Sequence, residues 1–386
     1  MNQDFLTPIK DSVVAHLVLQ SPLCLGKKIK FHSDQEGFPD LENITIAIFG
    51  VQEDRNSENN FGCGDHLQFI RRKLYQLFPG NWDTEIADLG NVLKGNTVKD
   101  TYFAVREIIS DLLKSNILPI IIGGGQDITY VNYRAYDTLE QTVNITTVDS
   151  RFDIGNLDDE LTSQSYLSKI IMEQPNNLFN YCNVGYQTYF NPQEEIQLLE
   201  SLNFDAYRLG RAKELENIEP AFRNADIVSI DIGAIRQSEA PANNNASPNG
   251  FYGEEICAIS RYAGLSDKVS SFGIYEYNSK YDNNHQTANL IAQMIWYFIE
   301  GVNYRVKDYP FSGKENYQKF TVLLENDDPM VFYKSNKSGR WWMEINILSD
   351  NKYKRHALIP CTYNDYIEAT KQNIPEKWYK AMKKMV

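Results

Sequence analysis

Three aspartates in this chain follow short apolar runs of the kind that form buried β-strands. Asp149 and Asp153 lie in the segment VDSRFD, and Asp231 lies in the segment SIDIGAI. Because the carboxyl ends of parallel strands meet at one edge of a sheet, we expect the three carboxylates to share one cleft. Converging carboxylates of this kind bind hard divalent cations. A second interpretation, in which the aspartates cap helices or lie solvated at strand ends, stays open.

A glycine cluster is the other polar feature that follows an apolar run. The residues Gly123-Gly124-Gly125-Gln126-Asp127 come directly after the segment Ile117–Ile122. Their spacing matches neither the GxGxxG nor the GxxxxGK[ST] motif, so the cluster does not predict a phosphate site. It is either a tight turn between a strand and a helix or a second side of the cleft that holds the aspartates.

The elements that must position these residues alternate between β-type and helical patterns as far as about residue 303. Such alternation predicts a three-layer α/β/α sandwich around a mostly parallel sheet. Strands are predicted at Asn43–Val51, Ile117–Ile122, Val143–Val148, Asn180–Gly185, Ala206–Leu209, Ala225–Asp231 and Lys268–Glu276. Helices are predicted at Thr97–Ser115, Ser163–Met172, Pro192–Leu202, Ala212–Arg223, Glu254–Ala263 and Gln286–Phe298.

The two ends of the chain depart from this alternation. Residues 1–42 are an N-terminal arm of weak periodicity, with a strand predicted around Ser12–Leu19. From about Tyr304 the pattern becomes β-rich, so we predict an α/β domain over residues 1–303 and a C-terminal extension over residues 304–386. The aromatic bulk of the extension indicates that it is ordered and packs on the α/β domain, and it is the candidate surface for a protein partner or a homo-oligomer. The residues concerned are Phe332, Trp341, Trp342 and Trp378.

Composition excludes several classes of function. A formal charge of −13 opposes unaided binding to nucleic acid or to an anionic membrane, because phosphate contacts need clustered Lys and Arg. No apolar run approaches the roughly 20 residues that span a bilayer, and the first residues lack the pattern of a signal peptide. Five scattered cysteines predict neither a disulfide framework nor a thiolate metal site. We therefore expect a cytoplasmic protein without membrane insertion.

The clusters described above resemble those of the ureohydrolase family of arginase, agmatinase and formimidoylglutamase, and formimidoylglutamase in particular. That family has a GGxH(S/D) cluster, a DAHxD cluster and an SxDxDxxDP cluster, which together bind two manganese ions. The counterparts here are the glycine cluster and residues 149–153 and 229–236. The similarity continues through Ala240-Pro241, Pro248–Phe251, Glu276–Asn278 and Thr287-Ala288 and covers roughly residues 40 to 303. It implies an arginase-like fold.

This sequence departs from the family at the positions that the resemblance assigns to metal binding. Asp149, Asp153 and Asp231 are kept, but the family's histidines are replaced by Gln126 and Arg151, and a further aspartate is replaced by Gly233. Arg236 takes the place of a neighbouring aspartate that, in the family, supports the metal ligands. The family's proton-shuttling histidine also has no counterpart, since the histidines are His16, His32, His66, His285 and His356.

The resemblance and these departures together predict an arginase-fold protein that has lost the binuclear manganese site. Such a protein would be a pseudoenzyme with a binding or structural role and no cofactor. We expect Arg151, and also Arg236, to pair with the remaining aspartates, because guanidinium matches carboxylate and offers no lone pair to a metal. Glu276 and Asn278 resemble substrate-binding positions, although Glu276 could equally pair with Arg151. The alternative is an amidine hydrolase, acting on formimidoylglutamate or a guanidino compound, that holds one divalent cation, manganese or magnesium, on the three aspartates.

Overall fold

The computed structural model describes residues 2–139, 141–155, 160–309, 315–325, 329–345 and 358–385. Within them a nine-stranded sheet is the centre of the molecule, and all its strand pairs are parallel. The strands are β1 (Lys30–Phe31), β2 (Ile46–Val51), β3 (Ile86–Val92), β4 (Leu118–Ile122), β5 (Val143–Val148), β6 (Leu178–Tyr186), β7 (Asp205–Arg208), β8 (Ile227–Asp231) and β9 (Ser271–Tyr275). Their order across the sheet is β1-β3-β2-β4-β9-β8-β5-β6-β7.

Helices cover both faces of this sheet, which confirms the predicted three layers. They are α1 (Asp11–Val18), α2 (Gln68–Gln76), α3 (Val98–Lys114), α4 (Ile128–Arg134), α5 (Tyr166–Met172), α6 (Gln193–Ser201), α7 (Leu209–Ala212), α8 (Leu215–Asn224), α9 (Gly253–Leu265) and α10 (Gln286–Asn303). One apolar core lies between the sheet and α1, α2, α8, α9 and α10. On the other face α3, α4, α5 and α6 enclose two further cores. No helix among the described residues is both long and apolar enough to cross a membrane.

The N-terminal arm differs from its prediction, because Ser12–Leu19 belongs largely to helix α1 and not to a strand. Val13 and Leu17 are buried one helical turn apart and pack into the core that includes α2, whereas Val18 is exposed. The β-branched residues of the segment suggested a strand, but its burial has the period of a helix. Strand β3 was also missed, since its interrupted apolar pattern gives a weak signal.

A separate antiparallel sheet forms the C-terminal region, as predicted. It contains β10 (Tyr317–Leu323), β11 (Pro329–Ser335), β12 (Trp341–Glu344) and β13 (Leu358–Cys361), in that order. Helices α11 (Tyr363–Thr370) and α12 (Glu376–Met385) follow it. Phe332, Trp341 and Trp342 are all buried, and Trp378 packs at the edge of a core between this sheet and its helices. These aromatic side chains therefore pack in the apolar cores of the extension itself.

The extension packs on α8 through one buried arginine. Arg223 is 3% exposed and donates hydrogen bonds to the main-chain carbonyls of Trp341 (2.8 Å) and Cys361 (3.0 Å). Its guanidinium also lies 4.6 Å from the ring centroid of Trp342. Glu219, one turn earlier on α8, balances its charge at 2.9 Å. The expectation that the extension packs on the α/β body is confirmed for the described residues.

Candidate functional site

Four neighbouring strands deliver the candidate residues to one edge of the sheet. The central strand order is β4-β9-β8-β5. Gln126 lies in the loop after β4, and Glu276 directly follows β9. Asp231 is the last residue of β8, and Asp149 directly follows β5. Each of these strands is buried along its length, apart from the half-buried Asp231. Within these strands a carboxylate occurs only at the last residue of β8, and the others follow the strand ends, so the carboxylates converge at the carboxyl edge of the sheet.

The three aspartates form an acidic cluster at this edge, and the nearby charge of Arg151 only partly opposes the rise in pKa that burial produces in each of them. Burial raises the pKa of Asp153 well above its ordinary value, and the charge of Asp149 raises it further. Burial also raises the pKa of Asp231 well above its ordinary value, with the charge of Asp149 adding to the shift. Asp149 Oδ2 has no hydrogen-bond partner among the described residues, and Asp153 and Gln126 are the side chains near enough to supply a donor to this carboxyl. Protonation of Asp153 would reduce the repulsion that Asp149 exerts on it.

Two site residues adopt a left-handed backbone conformation that places their carboxyls in the cluster. Asp153 has φ +55° and Glu276 has φ +67°. For residues other than glycine this region costs roughly 1–2 kcal/mol, although aspartate tolerates it better than glutamate does. Strain of this kind persists where the surrounding structure fixes the backbone, and it often marks a functional site or the remnant of one.

Glu276 is held by donors of the chain itself. The Ser57 hydroxyl lies 2.7 Å and 3.0 Å from its two carboxylate oxygens, the Asn60 amide donates at 2.7 Å, and the Gln126 main-chain N–H donates at 3.0 Å. Glu276 is 3% exposed, and its burial raises its pKa to about 6. The interpretation that Glu276 pairs with Arg151 is therefore wrong, and internal hydrogen bonds occupy the oxygens that a cationic ligand would need.

Arg151 and Arg236 do not make the predicted ion pairs with the aspartates. The Arg151 guanidinium donates to the main-chain carbonyl of Phe190 at 3.2 Å and stacks 4.6 Å from its ring centroid, and only its main-chain N–H reaches Asp149. Arg236 stacks 3.6 Å from the ring centroid of Tyr252. In the part of the chain that the structure describes, neither guanidinium forms an ion pair with a carboxylate of the cluster. Desolvation explains the difference, because a half-exposed cation keeps its water while an aspartate can take a proton.

The residues present do not fit a two-metal centre. The amide of Gln126 donates to the Tyr166 hydroxyl at 3.2 Å. At Gly233 a Cβ atom would meet Asp231 Oδ1 at 3.1 Å and the Asn243 amide at 3.2 Å, so a carboxylate ligand there requires Asn243 to move. Gly233 N–H already donates to Asp231 Oδ1 at 2.6 Å. Across the described ranges, no three His, Cys, Asp or Glu side chains form a group that could hold a metal ion.

Loops cover the cluster and hydrogen-bond to one another. Asn278 Nδ2 donates to Asn60 Oδ1 at 3.1 Å and to the carbonyl of Phe61 at 3.0 Å, so Asn278 ties loops together. Asn244 N–H donates to the same Asn60 oxygen at 3.1 Å, and Ser163 Oγ accepts from Glu58 N–H at 3.0 Å. Sequence reasoning missed Ser57, Asn60 and Asn243, because they lie in irregular loops and their partners are distant in the chain. The only signal in the sequence was the polar character of the loop after β2 and of the loop after β8.

Comparison with known proteins places this arrangement in a family. Residues 44–300 match the model of the arginase family. The formimidoylglutamase of Streptococcus gordonii is 24% identical over 289 residues, which are 67% of this chain and 85% of that protein. The formimidoylglutamase of Staphylococcus haemolyticus is 25% identical over 292 residues, which are 69% of this chain and 92% of that protein.

Solved structures agree in fold. The formimidoylglutamase of Bacillus subtilis superposes with a TM-score of 0.66 at 17% identity, over 77% of this chain and 100% of that one. The formiminoglutamase of Trypanosoma cruzi, solved with manganese, gives 0.63 at 18% identity, over 69% of this chain and 96% of that one. At these identities the likeness concerns the fold alone.

Proposed function

Because this chain belongs to the arginase family, we propose that it is a formimidoylglutamase-like member that has lost the binuclear manganese centre and works as a pseudoenzyme. Its role is binding or structural, and it needs no cofactor. The acidic cluster then survives as a buried polar core of the fold, in which shared protons and loop hydrogen bonds replace metal ions.

The hydrogen bonding of Glu276 is the observation that carries this proposal. A carboxylate that binds a cationic substrate must keep an oxygen available to it. Here Ser57, Asn60 and the Gln126 N–H supply three of the roughly four hydrogen bonds that a carboxylate accepts, all from inside the chain. Displacing them would leave buried donors unpaired, which costs roughly 1–3 kcal/mol for each group. The same loops would also have to separate before any substrate reached the cluster.

The chemistry of the replaced positions supports the same conclusion. A two-metal hydrolase makes hydroxide from bound water near neutral pH and stabilises the charge that develops in the transition state. Glutamine at position 126 is a weak ligand, glycine at position 233 is none, and the guanidinium of Arg151 has no lone pair to offer. No side chain of the cluster replaces the hydroxide-forming step.

One observation favours the alternative, a hydrolase with a single divalent cation. Asp149 Oδ2 is buried without a fixed donor, and an ion shared with Asp153 and Asp231 would also satisfy it. Manganese or magnesium would suit such an all-oxygen set. The cation would then counter the burial and the mutual repulsion that raise the pKa values of Asp153 and Asp231, and the substrate would be formimidoylglutamate or a guanidino compound.

Metal analysis of the purified protein, with and without added manganese, separates the two functions. We expect metal well below one ion per chain and no hydrolysis of formimidoylglutamate, agmatine or arginine. Asp231→Asn is the matched control, since it should change nothing if the cluster is metal-free and should abolish binding if one cation is held there. The triple variant Gln126→His, Arg151→His, Gly233→Asp serves as the positive control for manganese uptake. Stoichiometric manganese with turnover by the unmodified protein would replace the proposal with the single-cation hydrolase.

A further inference from the structure

A groove on the opposite side of the sheet from α9 and α10 lies outside the acidic cluster. It has a volume of about 980 Å³ and runs over α4, which packs between α3 and α5. This is within the volume range of protein ligand sites, roughly 300–1,000 Å³. The groove therefore has room for a ligand, and nothing in the proposed function uses it.

Charge is divided between the two sides of the groove. Lys99 and Arg106 lie two turns apart on α3, and both are accessible. The Arg106 side chain is 44% exposed and contacts the similarly exposed Glu107 at 3.2 Å, a surface ion pair that solvent weakens. Glu160 and Glu173 flank α5 and are exposed on the opposite side. Between the two sides, the lining residue Arg134 is already paired with Asp137 at 2.6 Å, so α4 adds little net charge. The result is a basic wall and an acidic wall facing across α4.

Aromatic side chains of α3 and α4 line the groove beside these charged residues. Phe103 is 51% exposed, and the Arg106 guanidinium lies 5.5 Å from its ring centroid. Tyr102 accepts from the Asn56 amide at 3.0 Å and donates to the buried Asp127, so its ring is held rigidly. Tyr130 is likewise fixed by its hydrogen bond to Glu173. Rigid aromatic side chains beside arginine are enriched where proteins bind partners.

We propose that this groove binds an extended peptide segment of a partner protein, with an acidic side chain toward α3, a basic side chain toward α5 and an apolar or aromatic residue between them. The distance between the charged residues of α3 and those beside α5 selects the class of ligand. Neighbouring helices pack roughly 8–10 Å apart, so α3 and α5 are separated by about 16–20 Å. An extended peptide of about six residues covers that distance, whereas the two charges of a free amino acid lie much too close together.

Calorimetric titration with synthetic peptides tests the proposal. The probes are three blocked peptides of about six residues with a central phenylalanine: one with lysine near one end and glutamate near the other, one with glutamate near both ends, and one with lysine near both ends. At low salt and peptide concentrations up to about 1 mM, we expect the mixed-charge peptide to bind about three- to tenfold more tightly than the other two.

Charge reversal supplies the specificity control. In the Lys99→Glu, Arg106→Glu variant both walls are acidic, so the preference should pass to the peptide with lysine near both ends. The matched variant Lys10→Glu, Lys319→Glu changes charge equally at two exposed positions outside the groove and should keep the original preference. Phe103→Ala should lower the affinity for all three peptides. Absence of binding by every peptide, equal binding of all three, or an unchanged preference after reversal of the α3 wall would overturn the proposal.

Discussion

The raised pKa of Asp153, caused mainly by burial, favours its protonated form, and asparagine offers a donor without requiring protonation. Asp153→Asn should therefore leave the free energy of unfolding within about 0.5 kcal/mol of the original value or raise it. Asparagine also tolerates the left-handed backbone at this position. Urea unfolding at pH 7 measures the effect, with Asp205→Asn as a half-buried control that is ion-paired to Lys380. A loss of several kcal/mol would show that Asp153 is needed as an anion.

A substitution at Ser57 tests the hydrogen bonds that hold Glu276. Ser57→Ala removes the hydroxyl that contacts both oxygens of Glu276 and leaves a buried carboxylate with fewer donors. The expected destabilisation is about 1–3 kcal/mol. Ser201→Ala, at an exposed helix end, should cost much less. Thermal unfolding measured at one pH compares them, and equal effects of the two substitutions would contradict a structural role for the Ser57–Glu276 contact.

Which residues lie in the cluster could be predicted from the sequence, but their partners could not. Asp149, Asp231 and Glu276 each follow an apolar run, and strand periodicity alone brings them to one edge. Ser57 and Glu276 are 219 positions apart in the chain. The direction of the Arg151 side chain depends on the position of Phe190, which only the folded loops determine. Opposite charge suggested an ion pair, while solvation and ring stacking decided otherwise.

At the scale of elements, helix α12 packs against the edge of the main sheet at Lys384. Its side chain donates to Asn180 and lies 5.1 Å from the ring centroid of Phe204. Burial lowers the pKa of Lys384 from 10.5 to about 8. The folded state thus binds this proton less tightly than the unfolded state, so the cost of burying the ammonium is full below pH 8 and disappears above pH 10.5.

Stability should therefore rise between pH 8 and pH 10.5 by at most about 3 kcal/mol from this lysine. The measurement is thermal unfolding at several pH values across that window. Lys384→Met keeps the apolar stem and removes the charge, so its melting temperature should rise less over the same window. Lys371→Met, at a largely exposed ion pair, should retain the original pH dependence. Parallel curves for the original protein and Lys384→Met would contradict the assignment.

Elements with strong periodicity were predictable, and those decided by tertiary contacts were not. The capping box of Thr97 and Asp100 and the long apolar face of α3 specify that helix locally. Helix α1 depends on burial of Val13 and Leu17 against the rest of the molecule, which no local signal reveals. Strand β13 and helix α11 were not predicted, because the β-type segments predicted in the extension were Gln318–Leu324, Met330–Lys334 and Arg340–Ile347.

At the scale of the whole molecule, the extension and the α/β body share a buried contact at Arg223. Truncation after Asn303 would remove the carbonyls of Trp341 and Cys361 and leave a buried guanidinium with only Glu219 as partner. It would also uncover the face of α8. We expect aggregated protein in size-exclusion chromatography, because both the charge and the apolar face lose their cover. Unchanged elution and melting behaviour would contradict this expectation.

The extension's aromatic side chains were predicted to be covered, and within the described residues Trp341, Trp342 and Phe332 are covered by its own helices and by α8. The sequence could not distinguish internal packing from a partner surface, since both bury the same residue types. A homo-oligomer through this region, a cytoplasmic location and the boundary near residue 303 stay predictions.

The docking of the extension has an evolutionary consequence. Arg223 donates to two main-chain carbonyls, one on β12 and one on β13. Every sequence that folds into this strand pair presents the same two acceptors, whichever side chains it carries. The contact therefore tolerates mutational drift within the extension, with the Trp342 ring as its residue-specific part. At Arg223 the extension is thus held by the pairing of its strands and not by the identity of most of their side chains.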